Sequence, residues 1–243
     1  FLSGSDDVGT YKDFGNGWTG GARAIYRQVK SGMDDYCSPY ALYNFAQDTG
    51  HPDYSVFSAA PCLIVNPGED VTVFMDLDDT GDYTEVTIPA SYFGLPKYKR
   101  SYTAVEFFFE KSSDKWFLQG SYTFSRSKGN VEGYVNSTLD QDDPGLTQEF
   151  DYASFQDGTY GFLPNDRTHV FKLFGSYNLT DNWRIGGNFL AQSGRPKNCN
   201  GFVPSTVPDF DPIDTLGGAG SYTSASSFWC LKEDGSGESE LVE

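Results

Sequence analysis

The chain has no uninterrupted apolar run of the roughly 18 residues that a membrane-crossing helix needs, so a helical span is excluded. A membrane β-barrel is not excluded, because its strands alternate and each carries only a weak signal. Basic residues are scarce. There are 17 Lys and Arg against 34 Asp and Glu, a formal net charge of -17. Phosphate backbones would be repelled, which argues against a nucleic-acid partner. Only 2 His are present, and His51 and His169 are not spaced to complete a zinc set with cysteine. None of the 4 cysteines falls in a C-x-x-C pair. There is no G-x-S-x-G nucleophile turn and no phosphate-cradling glycine loop. No acid–base or nucleophile set emerges, and the expectation is a protein that is not an enzyme.

What is abundant is aromatic residues and glycine: 20 Phe, 16 Tyr and 27 Gly, with only 2 Met. This favours an all-β protein. In residues 102–126, Thr103, Val105, Phe107 and Phe109 alternate with Ala104, Glu106, Phe108 and Glu110. After the turn Ser112-Ser113-Asp114-Lys115, the residues Trp116, Leu118, Gly120, Tyr122 and Phe124 alternate with Phe117, Gln119, Ser121, Thr123 and Ser125. Period-2 patterning on both sides of a short polar turn predicts a β-hairpin. Residues 168–193 repeat the device around Thr180-Asp181-Asn182, and both turns end in Asp-x-Trp, at Trp116 and Trp183. Each arm is about the roughly 9–11 residues a tilted strand needs to cross a bilayer. One face is apolar and aromatic, the other largely Gln, Ser and Thr, the pattern of a barrel wall around a wet interior. A Trp just after each turn suits an aromatic girdle.

The whole chain, 1–243, reads as one partial β-barrel domain. Wall strands are expected near 18–31, 102–111, 115–126, 168–178 and 183–193, with residues 1–17 as a connection. Long loops are expected at 32–100, 127–167 and 194–243, the first with a small hairpin over 71–77 and 82–88. Short turns on one side and long loops on the other match outer-membrane barrels. About five strands cannot close a barrel, which needs at least about eight. The chain is therefore expected to be a segment, completed by the rest of the same barrel or by other chains. Its ends at Phe1 and Glu243 read as cuts through a longer chain.

Several stretches resemble TonB-dependent outer-membrane receptors of the Oar-like kind. They are Lys97 to Arg100, Tyr102 to Glu110, Lys115 to Ser125, Gln141-Asp142-Asp143, Leu163-Pro-Asn-Asp-Arg167, Lys172 to Tyr177 and Gln192-Ser-Gly-Arg-Pro196. The likeness covers most of 68–200, and the Leu-Pro-Asn-Asp-Arg and Gln-Ser-Gly-Arg-Pro pieces are its most specific parts. It implies a barrel of about 22 strands with an N-terminal plug, of which this chain is part of the C-terminal half. It implies a bacterial outer-membrane location with extracellular loops, membrane lipid as surroundings, and active uptake of an unidentified substrate powered through the TonB complex. Two other functions compete: an extracellular structural or interaction protein built on the same barrel, and a secreted β-sandwich that binds carbohydrate.

Asp76, Asp78 and Asp82, with Thr80-Gly81 between, resemble the start of a calcium loop, so Ca2+ is a possible ligand. The twelfth position is Thr87 rather than Glu, and the same residues make a good hairpin turn. The acidic loop runs serve solubility or attract divalent cations. Four cysteines allow three pairings, and Cys37–Cys62 with Cys199–Cys230 closes two local loops. Disulfides would place these loops outside a reducing cytosol. Asn165-Asp166-Arg167 is expected to anchor a loop to the rim through Arg167 and a carboxylate, or to touch substrate. Loop aromatics, including Tyr36, Tyr40, Tyr43, Tyr54, Tyr152, Phe155 and Tyr160, either pack the loops together or stack on ligands.

Overall fold

The computed structural model describes residues 2–58, 62–137, 140–142, 148–196, 201, 229–236 and 239–241. Six long strands form one antiparallel sheet whose spatial order is the chain order. They are β1 (Leu2–Gly15), β2 (Trp18–Ser31), β3 (Arg100–Ser112), β4 (Trp116–Gly129), β5 (His169–Thr180) and β6 (Trp183–Gln192). Past the start of β5, the short strand Gly161–Phe162 continues the ladder along β4. Among the described residues the sheet does not close, and β1 and β6 are its edges.

The sheet has one strand more than the sequence suggests, because residues 2–15, expected as a connection, form β1. Gly4, Asp6, Val8, Thr10, Lys12 and Phe14 share one face of β1, and the charges among them hide the alternation. The turn into β2 uses three consecutive residues with positive φ: Gly15 (80°), Asn16 (53°) and Gly17 (73°). Glycine is needed at the third. A Cβ on Gly17 would lie 1.8 Å from the Ser112 carbonyl oxygen. The close approach lets the Ser112 amide donate to the Gly17 carbonyl at 2.8 Å, so adjacent turns are tied together. The β5–β6 turn is held by Thr180 Oγ1, which accepts from the amides of Asn182 (3.3 Å) and Trp183 (3.1 Å).

At the opposite end, the described parts of 32–99 and 130–166 fold into a cap. It includes α1 (Tyr40–Asp48), a helix absent from the all-β expectation. Ala41, Leu42, Phe45 and Ala46 give the i, i+1, i+4, i+5 spacing of one apolar stripe. Ser38 Oγ accepts the Tyr40 amide at 3.4 Å and Pro39 follows it, a Ser-Pro helix-start signal that the all-β expectation passed over. The small hairpin pairs Val71–Met75 with Thr84–Ile88, leaving a wider turn than expected. The main apolar core lies in this cap. It gathers Tyr36, Leu42, Tyr54, Val65, Met75, Ile88, Phe93, Tyr98, Val131 and Phe150 from both segments. The Tyr36 and Phe93 rings meet edge-on at 5.1 Å, and Tyr98 stacks on Phe150 at 5.9 Å. Cys37 and Cys62 form a disulfide across the first segment, and the Cys37 amide donates to the Asp151 carbonyl of the second at 2.8 Å.

A secreted sandwich would cover the aromatic face of the sheet with a second sheet. Among the described residues nothing does. Phe107, Trp116, Trp183 and Phe189 remain 53%, 50%, 71% and 58% exposed.

Burial, the leading cause, pushes the hydroxyls of Tyr98 and Tyr152 up to about 12, from 10.0. Both are neutral in the folded cap at pH 10, where an unfolded chain begins to lose those protons. Their contribution is fully present below pH 10 and is lost as pH rises from 10 through about 12. An ultraviolet titration of tyrosinate is expected to show Tyr98 and Tyr152 among the last tyrosines to titrate, with cap unfolding in that window.

Candidate functional site

The pairing register sorts the wall side chains into two faces. Thr10, Ala22, Phe107, Tyr122, Phe171 and Ala191 form one cross-strand row. Val105 and Phe124, Leu173 and Phe189, and Tyr177 and Ile185 pair on the same face. The opposite face carries Arg23, Glu106 and Thr123 in one row, and Ser121, Lys172 and Leu190 in the next. Gln119, Phe174 and Asn188 follow. One face is therefore aromatic and the other more polar, with Tyr11, Ile25, Ala104, Phe108, Phe117, Val170, Phe174 and Leu190 among its apolar exceptions.

The aromatic face has distinct margins. At the tight-turn end Trp18, Trp116 and Trp183 each follow a turn. The Lys111 ammonium lies 5.4 Å from the Trp18 ring, and Trp116 packs on Tyr177 at 4.5 Å. At the cap end the Tyr122 hydroxyl hydrogen-bonds His169 Nδ1 at 2.7 Å. Arg126 lies over Phe124 (5.4 Å) and Phe162 (5.0 Å), and Lys128 over Phe162 (4.4 Å). Trp116 to Arg126 is ten residue steps, about 33 Å along a strand. At a tilt of about 40° that becomes roughly 25 Å, the height of the apolar band on an outer-membrane barrel.

The polar face carries a cleft of about 640 Å3 towards the cap, lined by Arg23, Arg27, Arg100, Tyr102, Thr123 and Lys172 among others. Arg23 donates to Glu106, and Arg27 lies 3.8 Å from Asp7.

Leu163-Pro-Asn-Asp-Arg167 is the join between cap and wall. Asp166, 4% exposed, accepts the Ser127 amide at 2.6 Å and the Thr168 hydroxyl at 3.3 Å, with Arg126 at 3.8 Å. The anchor is thus the carboxylate of Asp166. Arg167, expected to pair with an acid, donates instead to the carbonyls of Pro164 (3.2 Å) and Asp166 (2.7 Å). Sequence reading missed this division of roles because Asp166 and Ser127 stand 39 residues apart.

The calcium candidates do not converge. Asp76 accepts the amides of Thr80 (3.0 Å) and Gly81 (2.8 Å), which hold its carboxyl below the usual range. Asp78 turns to His51 Nδ1 at 2.8 Å, while Asp82 donates its amide to Thr80 Oγ1 at 3.4 Å. Among the described residues only Asp35, Cys37 and Cys62 bring three donor atoms together, and there both sulfurs are spent in the disulfide. Cys230 is disulfide-bonded, and Cys199, its expected partner, lies outside the described residues. Of the loop aromatics, Tyr36, Tyr54, Tyr152 and Phe155 are buried and pack the cap, Tyr40 and Tyr43 are half-buried, and Tyr160 is exposed.

Fold and site together define a single-layer antiparallel wall with two unlike faces and a disulfide-tied cap. Sequence comparison goes one step further. Over 130 residues the chain is 31% identical to the TonB-dependent transporter Oar of Myxococcus xanthus, a match covering 51% of this chain and 12% of that protein. The chain therefore spans only a small part of its relative's length. No family model and no solved structure matches.

Replacing Asp166 with Ala leaves the Ser127 amide without its acceptor, an expected cost of about 1–3 kcal/mol. Hydrogen exchange at Ser127 should accelerate at least tenfold in D166A and much less in D166N, which keeps an acceptor.

Proposed function

We propose that this chain is a wall segment of a TonB-dependent outer-membrane receptor, with its cap outside the cell. The aromatic face lies against hydrocarbon and the polar face borders a water-filled interior. The observation that carries this reading is the exposed aromatic face, bounded at both ends by Trp, Tyr, His and cationic side chains. A water-exposed patch of that size would be an aggregation liability. In lipid it is the favourable arrangement. The likeness to Oar supports the same assignment.

The open edges follow from the same physics. In hydrocarbon each backbone group left without a partner costs several kcal/mol, so β1 and β6 need neighbouring strands from the remainder of the barrel. Transport by the complete protein would be active uptake powered through TonB. The wall supplies the passage and the cap the outer mouth, and no covalent chemistry is asked of either.

Arginine substitutions test the assignment of faces. Phe107 and Ser121 lie at similar depth on opposite faces of neighbouring strands. Near the bilayer midplane an Arg on the lipid side costs about 2–4 kcal/mol. In the full-length protein F107R should lose most folded barrel from the outer-membrane fraction, read by heat-modifiable gel mobility, while S121R keeps it. Equal tolerance of the two would refute the assignment.

A further inference from the structure

A smaller cavity of about 330 Å3 is set into the polar face. Its lining includes Arg23, Glu106, Phe108, Ser121, Lys172 and Phe174. It adjoins the larger cleft, and the two share Arg23, Glu106 and Lys172. These residues come from four strands but stand in neighbouring rows. Arg23 is opposite Glu106, Phe108 and Lys172 are both opposite Ser121, and Phe174 is opposite Gln119.

The charges in this cavity do not balance. Arg23 and Glu106 are committed to each other. Lys172 makes no ion pair among the described residues, and its cross-strand neighbours are Ser121 and Leu190. The result is one uncompensated positive charge in a chain whose formal net charge is -17. Beside it stand Phe108 and Phe174, two apolar rings on the more polar face. Phe108 stacks on Tyr11 at 6.5 Å and Phe174 packs on Phe117 at 5.8 Å, and Phe174 keeps 45% of its surface exposed on the cavity side of the sheet.

We propose that this cavity binds a small organic anion: one oxyanion group, carboxylate or phosphate, on a compact aromatic or short alkyl body. The oxyanion sits at Lys172, with the guanidinium N–H groups of Arg23 not given to Glu106, and with Ser121 and Gln119 as neutral donors. The body lies against Phe108 and Phe174. The volume is at the small end of ligand pockets, which run from about 300 to 1,000 Å3, so a single-ring molecule fits and a folded domain does not. The proposal rests on the reading that the polar face borders water. It deepens that reading by naming a ligand class for it.

The test is equilibrium dialysis of full-length protein in non-ionic detergent against benzoate, phenyl phosphate and the neutral benzyl alcohol. At least one anion is expected to bind tenfold or more tighter than benzyl alcohol, and the arms show whether carboxylate or phosphate is preferred. K172Q should weaken anion binding at least tenfold and K172R no more than about threefold. F174S should weaken it severalfold, and K97Q, on the exposed cap, should leave it unchanged. Equal binding of the neutral probe, no binding of either anion, or an unaffected K172Q overturns the site. Non-binding protein that still resides in the outer membrane overturns the site alone. Protein found folded in the soluble fraction refutes the barrel assignment, whatever the dialysis gives.

Discussion

The cross-strand row Ala22–Phe107–Tyr122–Phe171 and the row beside it, Arg23–Glu106–Thr123–Val170, are held apart only by backbone register. Side chains on a strand alternate with a period of two, so slipping one strand by one residue exchanges the two rows along its length. Glu106 or Lys172 would then stand among the aromatics. In a two-layer fold a core would penalise such a slip by collapse around a dry interior. Among the described residues this wall has no second layer, and on the proposed reading the penalty comes from two different solvents. That constraint gives the tight turns their importance. Gly15-Asn16-Gly17, Ser113 to Lys115 and Thr180 to Asn182 set the phase of each hairpin, and the bond from Ser112 to Gly17 couples one hairpin to the next.

The cap obeys different rules. Its core is an ordinary apolar cluster of Leu42, Ile88, Phe93, Phe150 and their neighbours, closed by the Cys37–Cys62 bond. Most of it comes from residues 36–98, and Val131 and Phe150 join from the segment beyond β4. Asp166 fastens it to the wall by accepting the Ser127 amide at the end of β4. The wall thus owes its order to register, the cap to packing, and the buried carboxylate of Asp166 stands at the junction.

This difference explains what could be read from the chain. The hairpins at 102–126 and 168–193 were legible because one face of each is nearly pure aromatic or aliphatic and each turn is short. β1 was hidden, since Asp6 and Lys12 interrupt the face that Val8 and Phe14 share. α1 was missed although Ser38-Pro39 marks its start, because the helix is short and is held by tertiary contacts of Ala41, Leu42 and Ala46. Asp76 was legible as a turn residue, and its bonds to the amides of Thr80 and Gly81 serve the turn itself. The cavity around Lys172 could not be read, because Arg23, Glu106 and Lys172 meet only once the register of four strands is known.

Spin labels placed singly along β4, with the full-length protein in a bilayer, test the two-solvent wall most directly. Accessibility to oxygen, which concentrates in lipid, should peak at Leu118, Tyr122 and Phe124. Accessibility to a water-soluble nickel chelate should peak at Gln119, Ser121 and Thr123. Two out-of-phase profiles with a period of two are the expected result. In-phase profiles, or aromatic positions shielded from both reagents, would contradict the account.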